Sequence, residues 1–319
     1  MAIRGILSPL LAGLFTLALF TGGAHAQPKK ELVLLTNASA DFWTIARRGI
    51  EKANKELPQY KMEMVLPSDF SAAGQRSTLD TLVARGVAGV AISVVDAAHS
   101  TEFLNGAAAK TILFTTDSDA SESKRLAYVG TDNVAAGEQA GAEIKKALPS
   151  GGKIMLFVGS LDSANARERV EGIRKAIAGT KIEIIDVRTD ETDQAKARRN
   201  VEDTLTKYPN IDLLCGLYSY NTPQIYTAVK EGGKAGKVKI VGFDEGQLTL
   251  RGIADGTIIS TVVQQPYEFG YQSMIDLDRV IKGDRGFIPK DGRIIVPTKV
   301  IDKTNVAEFQ DTMKQLLAK

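Results

Sequence analysis

From Glu31 onward, short apolar runs alternate with stretches whose apolar residues recur at helical spacing, and that alternation confines the chain to an α/β fold. The pattern predicts strands at Leu32–Leu35, Met62–Leu66, Gly89–Ile92 and Ile112–Phe114, separated by helices over Phe42–Leu57, Ser71–Arg85 and Thr101–Ala109. In the first helix Ile45, Gly49, Ile50 and Ala53 share one face, while Arg47, Arg48, Glu51 and Lys55 share the other. A second set follows, with helices over Val134–Leu148, Ala164–Ile177, Asp193–Lys207 and Thr222–Glu231. Its strands are expected at Lys153–Val158, Ile182–Val187, Leu213–Cys215 and around Val238. The tail adds strands at Ile258–Val263 and Ile294–Val296, a helix over Tyr267–Ile281, and a last helix that Asn305 caps. Crossovers between parallel strands are right-handed, so each set is expected to form a doubly wound parallel sheet. The two halves are similar in size and lack a long Pro- or Ser-rich tether, so they are expected to face each other across a cleft.

In open α/β sheets, ligands bind outside the carboxyl ends of the strands. The run Lys239–Asp244 places a carboxylate there: Ile240 and Val241 read as a doubly buried strand and Gly242 as a tight turn. Asp244 is then either a turn-former or a ligand acceptor. Other strand ends carry Asp41-Phe42-Trp43, Ser93 with Asp96, Thr115 to Asp119, Arg167 and Arg169, Tyr218 to Asn221, and Gln264-Gln265. Trp43 serves equally as core or as ligand platform, and Asp117 with Asp119 as cation ligands or turn caps. Together these loops offer carboxylates, an arginine, amides and flat rings. A sugar matches that mixture, since its hydroxyls pair with charged and amide groups and its C–H faces pack on rings.

The chain has 319 residues, 44% hydrophobic and 24% charged, with a formal net charge of +2 and no Lys/Arg cluster, so nucleic acid is not an expected partner. Cys215 is the only cysteine, which rules out an intramolecular disulfide. The two histidines, His25 and His99, are too few for a His/Cys metal site or a His-activated nucleophile. There is no phosphate-binding loop, no dinucleotide fingerprint and no nucleophile elbow. No cofactor or metal is expected. Residues 1–26 read as a cleavable signal peptide: Arg4, the apolar run Ile6–Phe20, then Ala24-His25-Ala26. The mature chain is expected to begin near Gln27, without lipid attachment, in a periplasm.

Four segments carry a family resemblance: Ala127-Tyr128-Val129-Gly130-Thr131-Asp132-Asn133 with Gly137, Ala166-Arg167-Glu168-Arg169-Val170-Glu171-Gly172, Val241-Gly242-Phe243-Asp244, and Gln264-Gln265-Pro266 with Gly270. As a set they resemble the periplasmic sugar-binding proteins of the ribose and galactose type, relatives of the lactose-repressor effector domain. The resemblance implies two α/β domains joined by three hinge strands near Asp132, Gln265 and Asp291. The implied domains are 27–131 plus 265–291, and 132–264 plus 292–319. It implies that Phe42 and Trp43 sandwich a sugar, that Asp117 and Asp244 accept from its hydroxyls, that Arg169 donates, and that Gln264 bonds at the hinge. Ser93, Asp193, Tyr218 and Asn221 are further implied ligand positions. Several positions depart from the ribose-binding pattern: Ala40, Ser93 and Tyr218 stand where asparagines are expected, Asp193 replaces an aromatic, and Ser118 replaces an arginine. Those departures point to a hydroxyl pattern other than that of ribose, or to another solute.

The expectation is therefore a monomeric, non-enzymatic solute-binding protein that delivers a small sugar to an inner-membrane ABC permease. A sensor subunit presenting its ligand to a membrane receptor is the alternative, and an enzyme the third reading. The expected signal peptide and the lack of a preceding helix-turn-helix favour import over gene regulation.

Overall fold

The computed structural model describes residues 1–2 and 29–317; apart from Met1 and Ala2, the expected signal peptide and its cleavage point lie outside them. The chain opens with β1 (Lys30–Leu35), α1 (Asp41–Glu56), β2 (Tyr60–Val65), α2 (Ala72–Ala84), β3 (Gly89–Ile92), α3 (Ala97–Ala108), β4 (Ile112–Thr116) and β5 (Ala127–Gly130). It continues with α4 (Asn133–Ala147), β6 (Gly152–Val158), α5 (Ala164–Ile177), β7 (Ile182–Thr189), α6 (Gln194–Lys207), β8 (Leu213–Gly216), α7 (Asn221–Glu231) and β9 (Lys239–Phe243). The last elements are α8 (Gln247–Asp255), β10 (Ser260–Val263), α9 (Pro266–Ile281), β11 (Arg293–Ile295), β12 (Lys299–Asp302) and α10 (Val306–Leu317).

These strands form two six-stranded sheets, ordered β2-β1-β3-β4-β5-β11 and β7-β6-β8-β9-β10-β12. Every pairing is parallel except β10 with β12. Both sheets are covered on both faces, which is why inner strands such as β3 and β8 are contiguous apolar runs rather than alternating ones. Leu32 to Leu35 are wholly buried, and each such side chain contributes about 1.5–3 kcal/mol of hydrophobic stabilisation.

The chain passes between the sheets after β5, after β10 and after β11. The third passage lies later than the resemblance implies. Arg293–Ile295 extends the first sheet by pairing with Tyr128, Val129 and Gly130. The ladder is prolonged by Val296 N–H donating to Gly130 O at 2.8 Å. Pro297 has no N–H to continue it, and β12 then begins in the second sheet. Three elements were not predicted from pattern: β5, α8 and β12.

In each domain the helix after the first strand packs against the helix that follows a crossing, and glycines set the distance. A Cβ at Gly49 of α1 would lie 2.0 Å from Tyr267 O, and one at Gly270 of α9 would lie 2.0 Å from Ala46 O. In the second domain a Cβ at Gly172 of α5 would lie 2.1 Å from Val134 O, and one at Gly137 of α4 would lie 2.3 Å from Arg169 O. These contacts fix where the N-terminal turns of α1 and α5 meet the cleft.

Candidate functional site

The carboxyl ends of both sheets face one cleft, which encloses a cavity of about 320 Å3. The six side chains read as the main site, Phe42, Trp43, Asp117, Arg169, Asp244 and Gln264, all line it, and so does Tyr218. On one rim the domains touch: Ser163 Oγ donates to Val95 O at 2.7 Å, and Ala97 N–H donates to Asp162 O at 3.3 Å.

Two carboxylates approach the cavity from opposite domains. Asp117 follows β4 and Asp244 follows β9, and both are buried. Both hold left-handed backbones, with φ of 60° and 66°. Non-glycine residues rarely adopt this conformation, although Asp tolerates it better than most. The backbone is held there by Asp117 N–H donating to Val129 O at 3.3 Å and Asp244 N–H to Val262 O at 2.9 Å. Asp117 Oδ2 accepts from Ser93 Oγ at 2.7 Å and from Asn37 Nδ2 at 3.4 Å. Gln264 Nε2 donates to Asp244 Oδ1 at 2.9 Å, and Gln264 Oε1 accepts from Thr131 Oγ1 at 3.0 Å. Two of the passages between domains are thereby tied to Asp244. Burial pushes the Asp117 carboxyl up to about 6, against the nearby Arg169 charge and the Ser93 hydrogen bond. Burial likewise raises Asp244, and Arg169 and Gln264 oppose the rise.

Arg169 is the buried counter-charge, only 1% exposed. Its Nε donates to Asn133 Oδ1 at 3.0 Å, and Nη1 donates to Leu217 O at 2.6 Å. The guanidinium sits 4.6 Å from the Phe243 ring centroid, a favourable cation–π position. Its Nη2 is buried without a protein partner among the described residues. A buried donor left unsatisfied costs about 1–3 kcal/mol, so a ligand oxygen that reaches Nη2 recovers that cost.

Aromatic rings close the walls. Phe42 and Trp43 lie 5.1 Å apart and 84° to one another, so they form one corner and do not sandwich a ligand between them. Tyr218 and Tyr220 stand on the second domain, 6.2 Å apart. Tyr218 Oη donates to Asn165 Oδ1 at 3.0 Å, and Tyr220 Oη donates to Asp190 Oδ1 at 2.5 Å.

Three of the further expected positions support the site from outside the cavity lining. Ser93 orients Asp117. Asn221 braces the tyrosine loop: its Nδ2 donates to Asp190 Oδ2 at 2.7 Å, and its Oδ1 accepts from Tyr218 N–H at 3.1 Å. Asp193 caps α6 by accepting from Ala195 N–H and Lys196 N–H, which turns its carboxylate to the helix. Asp119 pairs with Arg125 at 2.6 Å rather than sharing a cation with Asp117. Arg167 donates to Leu161 O and Asp162 O and fixes the loop after β6. Sequence reasoning passed over Asn37, Phe70, Glu191 and Thr192, which line the cavity. Asn37 and Phe70 follow β1 and β2 and were open to the same strand-end logic. Glu191 and Thr192 owe their place to left-handed backbones, with φ of 57° and 63°.

The periplasmic binding protein domain model matches residues 32–285. The ribose import binding protein of Salmonella typhimurium is 26% identical over 83% of this chain and 89% of its own length. Among solved structures, the glucose-galactose binding protein GanP of Geobacillus stearothermophilus is 28% identical with a TM-score of 0.81, covering 88% of this chain and 99% of that one. An ABC transporter solute-binding protein of Burkholderia graminis, solved with D-arabinose, is 27% identical with a TM-score of 0.81, covering 86% and 96%. With two parallel-sheet domains, a cleft between them and a family match spanning most of its length, the chain belongs to the periplasmic binding proteins.

Proposed function

We propose that this protein is a periplasmic solute-binding protein that captures a small neutral sugar and delivers it to an ABC import permease. The observation that carries the reading is the pairing of Asp117 and Asp244, from opposite domains, with one buried arginine holding an unspent donor in an aromatic-walled cavity. Sugar hydroxyls are good donors to the carboxylates, and a hydroxyl or ring oxygen suits Arg169 Nη2. An anionic sugar would meet two carboxylates and one arginine, a net repulsive set. The names of the relatives, which cover ribose, D-arabinose, glucose and galactose, support the same class. Binding couples to closure because a sugar held by Asp117 and Asp244 together bridges the domains only when they are close. The three passages near Thr131, Gln264 and Val296 serve as the hinge in this reading. No covalent step is involved.

A thermal-shift screen of ligand-free protein against D-ribose, D-arabinose, D-xylose, D-allose, D-glucose and D-galactose tests the proposal. A sugar at 100-fold over its Kd stabilises the native state by about 2.7 kcal/mol, so at least one should give a saturable rise. The proposal fails if ligand-free protein responds to no sugar.

A further inference from the structure

We propose that the cleft takes a glycosidically extended sugar, its second unit seated in an outer chamber beside the cavity described above. This inference rests on the sugar-binding reading. The outer chamber measures about 560 Å3, against about 320 Å3 for the inner cavity, and it is open to solvent. Ala40, Phe42, Ser219, Tyr220 and Asp244 line both, so the two spaces share a wall. Ala40 and Ser219 are the small members of that wall, one from each domain. Larger side chains at either would narrow the passage, and Ala40 is one of the positions where the sequence departs from the ribose pattern.

The chemistry of the outer chamber fits a second ring of hydroxyls. Glu245 lines it from the residue directly after Asp244. Gln194, Gln224 and Gln247 supply amide donors and acceptors around it. Leu248, on the same wall, is 39% exposed and offers an apolar surface for a C–H face. Among the described residues the lining contains no lysine or arginine, while Asp41, Asp244 and Glu245 are acidic. An anionic substituent is therefore disfavoured, and a neutral glycosyl unit suits the set.

Calorimetry with the mature protein compares D-xylose, D-glucose and D-galactose with xylobiose, cellobiose, lactose and melibiose. The expected result is that one disaccharide binds at least about tenfold more tightly than its components, the gain of roughly one good polar contact. Glu245→Gln keeps the shape and should reduce that preference, and Gln224→Trp, which fills only the outer chamber, should abolish it. If a monosaccharide binds and no disaccharide exceeds it, or if the preference survives Gln224→Trp in folded protein, the outer subsite is wrong while the sugar-binding reading stands. If neither class binds, the outer subsite falls, and the six-sugar screen above decides the sugar-binding reading.

Discussion

Replacing Asp244 by asparagine separates what the cleft does for ligand from what it does for folding. Asn tolerates a left-handed backbone about as well as Asp, so φ of 66° is not a new strain. Its side-chain oxygen still accepts from Gln264 Nε2, which now donates to Asp244 Oδ1 at 2.9 Å. The negative charge is lost. Hydrogen bonds to charged groups contribute about 1.5–3 kcal/mol, so at about 1.4 kcal/mol per decade the Kd should rise about 10- to 150-fold. Ligand-free stability should move the other way or stay level. Burial raises the Asp244 carboxyl above its ordinary value, so an ionised carboxylate at this place carries a desolvation cost that asparagine lacks. Calorimetry of the wild type and variant with the best sugar, beside thermal unfolding of both without it, reads the two effects. An unchanged Kd would refute the assignment of Asp244 as a ligand acceptor. A ligand-free variant several degrees less stable would show its carboxylate to be structural.

Asp117 predicts a pH dependence. Its folded carboxyl lies at about 6, above its ordinary value of 3.8. The ligand-free protein should therefore be most stable with respect to this group below the unfolded value and lose that contribution as pH rises through about 6. With the ionised Asp117 as the proposed acceptor of sugar hydroxyls, affinity should fall below that pH, approaching about tenfold per unit. Asp117→Asn should flatten the profile, and a flat wild-type profile would remove Asp117 from the ligand set. Arg169→Lys should weaken both binding and folding. A lysine cannot reproduce the fork that reaches Asn133 Oδ1 and Leu217 O, and each acceptor abandoned in the interior costs about 1–3 kcal/mol; wild-type Tm and Kd would contradict this. Cys215 is wholly buried and burial pushes its thiol up to about 12. Iodoacetamide at pH 8 should leave native protein unmodified and label it on unfolding in guanidinium. Rapid native labelling would place this strand elsewhere.

The sheets were legible because a strand covered on both faces has to be an uninterrupted apolar run. The missed elements show where that logic ends. β12, Lys299–Asp302, is an edge strand with only Val300 and Ile301 apolar, and in β5, Ala127–Gly130, Tyr128 interrupts the aliphatic run. Helix α8 has Gly246 before its first turn and no side-chain cap, so its nine residues carry no start mark. In the site, Asp117, Asp244 and Gln264 stood out because they follow strands, but their choice as a ligand set, with Arg169 from within α5, came from the family resemblance. Asp193, a further ligand position implied by the resemblance, caps α6 outside the cavity lining, and a carboxylate just before a helix looks the same in sequence whether it caps that helix or faces a cleft. Glu191 and Thr192 stayed hidden because an unusual φ at a non-glycine residue leaves no trace in sequence.

The two sheets share one strand order, and the correspondence explains both the strength of the site and its directionality. β4 and β9 occupy the same place in their sheets, and Asp117 and Asp244 follow them with nearly the same φ and the same backbone bond to the next strand. Strain of this kind costs about 1–3 kcal/mol per residue and persists only where the surroundings impose it. Finding it twice, at matching positions facing one cavity, points to a shared task of presenting a carboxylate across the cleft. Two equal acceptors alone could not tell one end of a sugar from the other. The difference comes from the helices: α1 brings Phe42 and Trp43 to the cavity, whereas α5 brings Asn165 and Arg169. The apolar corner and the single cation therefore lie on opposite domains. A ring with one apolar face and an uneven set of hydroxyls satisfies both only in one orientation, and only with the domains closed.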